Sequence, residues 1–459
     1  MKRIRFWTVV IAVISFLFVE FFPGNAEAIP AFARKYKTSC ITCHGTFPRL
    51  TALGEAVRLN GYKMPDGDEL YVKDQPVVMG VEAYKKVFPQ AVWPSDIPGL
   101  PPIAIRVTQD VEFDTGGTKD SSITFNTPQA KILSAGSLGQ DMSFFTEIEF
   151  EDESTELSAW FMWEDWFSNS IGDNHLNFRI GTIGMQDLAL PNTRNHNRIT
   201  REGYLYADEL QLHAHGSSSL GIELNGFDKW WRYNAGIMQG DSATDKKNFY
   251  GALSFKIGGL GYDGSGGTSE EGGLETTPSG YWRDDSVLFG IFGMRSYIGD
   301  EDEKFDRIGV DSRINYKDIS IAAGYICGID VQEAVHGGDG GHEEEEEGEL
   351  HEEEEEGEPH EEEGEAHEES DIDKNLWFVE LEYFVYPWLQ PYVRYEHLSV
   401  DGSDDSDKSR FIIGTVILAR ANVKFNVEGR FYTENEPLVA AGGDKNDDNL
   451  IALRLDYAF

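Results

Sequence analysis

From Pro102 to Phe459 the chain repeats one pattern: apolar and polar side chains alternate through segments of about ten residues. A period of two places alternate side chains on opposite faces of an extended strand, so each segment has one apolar and one polar face. Ile103, Ile105, Val107, Val111 and Phe113 oppose Ala104, Arg106, Thr108, Asp110 and Glu112. Val423, Phe425, Val427 and Phe431 oppose Asn422, Lys424, Asn426, Glu428 and Arg430. Similar ladders occupy 142–151, 251–257, 377–383 and 451–459. A soluble sandwich also alternates, and three features favour a membrane barrel over it. The segments are near the ~9–11 residues that cross a bilayer at a tilt. Their polar face carries many charges, as a water-filled lumen permits. Trp160, Trp163, Trp166, Trp230, Trp231, Trp282 and Trp388 crowd strand ends, where interfacial girdles belong.

The end of the chain agrees. Leu453, Leu455, Tyr457 and Phe459 share one face of the last segment, and the chain stops on an aromatic, which is similar to the assembly signal of bacterial outer-membrane barrels. The expectation is a mainly β chain: an outer-membrane antiparallel β-barrel of about 16 strands, an even number as such barrels take. Both termini then face the periplasm, where turns are short. Counting back from Phe459 puts 433–448, 399–408 and 331–372 outside, and the turns at Arg420 and Tyr386-Pro387-Trp388 inside. The same parity puts the Gly-rich stretch 260–283 inside, where long loops are unusual, a sign of one misread strand.

Before the barrel lies Cys40-Ile41-Thr42-Cys43-His44. Two cysteines two residues apart with histidine next is the spacing that holds c-type haem. The thiols can form thioethers to the vinyl groups and the imidazole can reach the iron. A bare CxxC also serves zinc ribbons and redox sites. The adjacent His44 and an export signal favour haem. Lys2, Arg3 and Arg5 precede an apolar run from Trp7 to Phe22, broken only by Glu20, and Ala26-Glu27-Ala28 fits a cleavage site. The expected organisation is a signal peptide over 1–28, a monohaem cytochrome c module with linker over 29–98, and a transmembrane β-barrel over 99–459. In the module, Pro48 is expected to open a helix carrying Leu50, Leu53 and Val57 on one stripe, closed by Asn60-Gly61.

Composition narrows the partners. The formal charge of −42 argues against nucleic acid, which needs a basic surface. Roughly half of that excess lies within 334–371, expected to be a disordered Glu/His-rich extracellular loop, since it has almost no apolar residue to offset ordering entropy. Its His342, His351, His360 and His367 among glutamates could collect divalent metals or form only a solvated, repulsive loop. Cys327 stands alone and reads as a small buried hydrophobe.

Haem iron needs axial ligands. His44 is the proximal one, and residues 29–101 hold no second histidine. Met64, just after the expected helix, is the candidate distal ligand, with Met79 in reserve. A barrel histidine or an open position are the alternatives. His213 and His215 share an expected strand face with Glu209 and Gln211, read as lumen lining or as ligands for haem or metal.

Ala31-Phe32-Ala33-Arg34, Cys40–His44, Phe47-Pro48-Arg49-Leu50-Thr51, Gly54 and Asn60-Gly61-Tyr62 resemble the N-terminal region of the fused cytochrome c–porin outer-membrane proteins, among them the iron oxidases of iron-oxidising bacteria. Beyond that region only the layout matches, and the Glu/His insert is a departure. The resemblance implies one covalent haem c on Cys40 and Cys43, ligated by His44, inside or at the mouth of the barrel. It also implies electron transfer from extracellular Fe(II) to periplasmic c-type cytochromes, with Fe(II) oxidase activity as an open question. The alternatives are a conduit exporting electrons to an extracellular acceptor, and a porin whose haem domain is a plug or sensor.

Overall fold

A computed structural model describes residues 31–65, 67–72, 102–114, 121–138, 141–151, 154–165, 170, 172–183, 190–193, 198–200, 219–240, 246–266, 280, 282–298, 303–332, 370–400, 407–433 and 449–459. The expected signal peptide, Met79, Trp166, His213, His215 and nearly all of the Glu/His-rich loop lie outside them.

The strands β1 (Ile103–Asp114) to β17 (Leu450–Ala458) form one antiparallel sheet. It closes because β1 pairs with β17 over Arg106–Asp114. The short β2 (Ser122–Phe125) and β3 (Gln129–Ser137) both pair with β1, one beyond the other along its length. They share one place in the ring, so seventeen segments make a barrel of sixteen positions. Closure leaves no unpaired edge.

The alternation read from the sequence sets the two faces. Outward stand Ile308, Val310 and Ile314 of β11 (Glu303–Tyr316) and Ile321, Tyr325 and Ile329 of β12 (Ile319–Gln332), all solvent-exposed. Inward stand Gln390, Arg394 and Glu396 of β14 (Leu389–Val400), and Lys424, Asn426 and Glu428 of β16 (Val423–Tyr432), all buried. An apolar exterior around a charged interior is the inverse of a soluble protein. Among the described residues no helix is long and apolar enough to cross a membrane, which says nothing of strands.

Two expectations change inside the barrel. The charged lumen is not an open water column. Arg198, Arg307, Arg394 and Arg410 are fully buried in ion pairs with Glu380, Glu382, Asp330 and Glu396. The interior also holds an apolar cluster of Ile183, Met238, Phe292, Phe305, Ile326, Leu376, Phe378 and Leu398, with Leu190 packed among them. Leu190 belongs to the connection between β6 (Asn177–Ile183) and β7 (Ser219–Phe227), whose described parts fold into the lumen. Asp311 receives the backbone N–H groups of Asn192 and Thr193 at 2.5 and 3.0 Å, and Glu428 receives those of Ile199 and Thr200 at 3.2 and 3.0 Å.

The second change concerns 260–283. Among the described residues of this stretch there is no strand. These residues join β9 (Lys247–Gly258) to β10 (Ser286–Ile298) at the same end of the barrel as the start of β1, the end of β17 and the short turn 384–388. Its described residues 260–266 pack against the N-terminal module. At Gly264, in a positive-φ conformation, a side chain would stand 2.6 Å from Pro65. Trp160 and Trp282 also leave the expected girdle. Trp160 turns inward onto Tyr62, and Trp282 stacks on Phe384 at 5.5 Å, whereas Trp230 and Trp388 stay exposed.

Candidate functional site

The module consists of α1 (Ala31–Tyr36), a 3-10 turn (Cys40–Thr42), α2 (Ala52–Leu59) and α3 (Asp68–Tyr71). Helix α2 starts later than Pro48 because Thr51 caps it, its hydroxyl accepting from the Gly54 N–H at 3.1 Å. Asn60 ends it and Gly61 follows at φ 65°, as expected. Tyr36, Val57 and Met64 form the module's apolar core, with Phe32, Cys43, Leu53, Tyr71 and Val72 packed around them.

The module sits in the mouth of the barrel and touches walls right round the ring. Lys63 pairs with Glu164 beyond β5 (Ser154–Trp163). Glu55 pairs with Arg232 of β8 (Trp231–Gln239). Thr46 donates to Gln390 at 2.6 Å, and Arg49 pairs with Glu382 of β13 (Ser370–Tyr383). Arg106 of β1 lies over the Phe47 ring at 5.6 Å. Tyr62 stacks on Phe145 at 5.5 Å and on Trp160 at 6.2 Å.

Between module and wall lies a cavity of about 1010 Å³, lined by Cys40, Cys43 and His44. Such a volume is at the top of the ~300–1,000 Å³ range of small-molecule sites. Within the motif, His44 N–H donates to the Cys40 carbonyl at 3.0 Å and Thr51 N–H to the Cys43 carbonyl at 2.9 Å. The His44 Nδ1 lies 3.0 Å from the Pro48 carbonyl oxygen, to which it donates. That contact selects the tautomer with Nε2 bare, the arrangement of a metal-ligating imidazole oriented by a backbone carbonyl. Burial, with Arg106 and Lys424 nearby, lowers the His44 pKa to about 4, so the ring is neutral at pH 7.

Burial raises the Cys40 thiol pKa, and burial with neighbouring Cys40 pushes that of Cys43 up to about 12. A nucleophilic redox pair needs the opposite shift. Among the described residues no three His, Cys, Asp or Glu side chains converge as a metal-holding group. Two cysteines and a neutral histidine lining one large cavity fit a covalent haem. Phe32, Val57 and Leu50 give it an apolar wall.

Met64 is 1 % exposed within the module core and is not among the cavity-lining residues. The sequence reading missed the residues that hold the module: Glu164, Arg232, Glu382 and Gln390. Period two marks Arg232, Glu382 and Gln390 as inward-facing, but carries no sign of their partners.

Gly54 is a point of close approach. A Cβ there would stand 2.0 Å from the Cys43 carbonyl oxygen, which is backbone and cannot step aside. Gly54→Ala is therefore expected to displace the motif from α2 and to cut haem incorporation several-fold, read as haem stain per barrel on a denaturing gel. Wild-type staining would refute the packing argument.

No protein-family model and no curated protein matches the chain. Solved structures do. An anion-selective porin from Comamonas acidovorans is 11% identical, with 78% of this chain and 99% of that chain covered and a TM-score of 0.50. The outer-membrane expressed OmpT of Vibrio cholerae is 11% identical, with 79% and 98% covered and a TM-score of 0.47. The chain thus has a porin-like β-barrel fold.

Proposed function

We propose that this chain is an outer-membrane electron conduit with one covalent haem c, oxidising an extracellular donor, Fe(II) foremost, and passing electrons to periplasmic c-type cytochromes. The observation that carries the reading is the single cavity faced by Cys40, Cys43 and a His44 whose Nε2 is left bare. The apolar exterior supports placement in a membrane, and the porin-like fold supports the outer one. Short turns of such barrels face the periplasm. The module's mouth carries most of the short turns, which suits hand-over to a periplasmic partner.

In this reading Cys40 and Cys43 hold the haem by thioethers and His44 coordinates its iron. The haem supplies one-electron exchange between ferric and ferrous states. The Pro48 carbonyl fixes the imidazole, and Phe32, Leu50 and Val57 exclude water from one side. The inward segment and the apolar cluster around Leu190 obstruct the lumen, so electrons rather than solutes are what the barrel passes. Oxidising Fe²⁺ outside also keeps insoluble iron oxide out of the cell.

Two measurements test this. Purified outer membranes should give the reduced-minus-oxidised spectrum of a c-type cytochrome, and a colourless protein would end the proposal. Proteoliposomes with the long loops outward should show haem reduction when Fe(II) is added outside, followed by stopped-flow absorbance. Reduction only by Fe(II) supplied at the short-turn mouth would leave a cytochrome but reverse the direction.

A further inference from the structure

We infer that the second axial ligand of the haem comes from the barrel wall, and that it is the thioether of Met162 in β5; this deepens the haem reading above and rests on it. Among the described residues Met162 is the only methionine lining the cavity, as His44 is the only histidine. The amines that line it are occupied: Lys131 pairs with Glu147 and Glu149, and Lys256 with Asp284. Met64 would have to leave Tyr36 and Val57. Its backbone is tied as well, its N–H donating to Asp68 at 3.1 Å and its carbonyl accepting from Asn60 at 3.1 Å.

Met162 has the surroundings of an oriented ligand. It is 4 % exposed although it borders the cavity. The Asn225 side-chain amide lies 3.8 Å from its sulfur, as donor. A thioether in a packed wall needs no hydrogen bond, being only a weak acceptor. Here the donor is itself fixed. Asn225 also donates to Glu223 at 3.0 Å and accepts from Asn177 at 3.2 Å. Ligand atoms held through such outer partners are the common pattern at metal sites. The Asn225 contact takes one of the two sulfur lone pairs.

The module is pressed against this part of the wall. Ser143 is the cross-strand partner of Met162, and a Cβ at Gly61 would stand 2.2 Å from the Ser143 hydroxyl. Tyr62 stacks on Trp160, two residues before Met162 on the same face. A module docked this tightly can use a wall residue as ligand without a hinge. Haem iron would then cross-link module and barrel, and His/Met ligation would raise the potential relative to bis-His.

The test uses the full chain in detergent. Wild type, Met162→Ala, Met162→His and Met64→Ala are compared by haem stain, ferric absorption with magnetic circular dichroism, and redox titration. Wild type and Met64→Ala should show the sulfur-to-ferric-iron charge-transfer band. Met162→Ala should lose that band and titrate at lower potential with haem content unchanged. Met162→His should give a bis-imidazole spectrum, and decides the matter if the alanine variant fails to assemble. A band absent from wild type, or kept in both Met162 variants, overturns the assignment. A wild-type band with no haem stain overturns instead the haem reading beneath it.

Discussion

Cys40→Ala with Cys43→Ala will give a colourless protein whose barrel still closes. Both thioethers are lost, so no haem survives denaturation. Closure rests on the β1–β17 ladder, which neither cysteine touches. Module seating should survive too, because Lys63–Glu164, Glu55–Arg232 and Thr46–Gln390 use other side chains. The contact between Gly54 and residue 43 is to backbone and persists in the variant. Haem stain, visible absorption and the shift in gel mobility on heating check the three parts. Covalent colour remaining in the double variant would mean that the motif is not the attachment site.

Arg198→Ala is expected to open the lumen. Arg198 is fully buried, donates to Glu380 at 2.9 Å, pairs with Glu382 and lies 3.6 Å above the Tyr392 ring. Removing one partner of a buried pair costs ~3–5 kcal/mol. The lower end applies here, because Glu380 keeps Arg394, and Glu382 keeps Arg49 and Gln390. The inward segment would retain its N–H bonds to Asp311 and Glu428 but lose the Arg198 anchor on β13. Single-channel conductance in planar bilayers should rise from near zero to a measurable level, with a lower unfolding temperature. A rise in conductance with haem content unchanged would separate the inward segment from the module as the obstruction. Unchanged conductance would show that the apolar cluster around Leu190 closes the barrel without Arg198.

Wall residues tie the module and the inward segment together. Arg232 holds Glu55 of α2 and also the Pro191 carbonyl at 2.5 Å, and Glu382 holds Arg49 and Arg198. Both wall residues were legible as inward-facing from their strand parity. Their partners lie far away in sequence, and no local pattern pairs them. Trp160 shows the same limit from the other side. Its position near a strand end suggested a girdle, although parity with Ser158 and Met162, against exposed Leu157 and Phe161, already put it on the inner face.

Strand number, the two faces of the alternating segments and the close of α2 at Asn60-Gly61 were all readable, because each follows from local periodicity or spacing. Side-chain alternation is a property of a single strand and needs no partner to be seen. What filled the barrel was decided only by tertiary structure. The inward turn of 190–193 and 198–200, the packing of 259–266 around Pro65 and the placing of His44 against the wall depend on contacts between residues far apart in the chain. Such contacts arise when closing the ring brings opposite walls within reach of one another and of the module, and nothing short-range in the chain encodes that geometry.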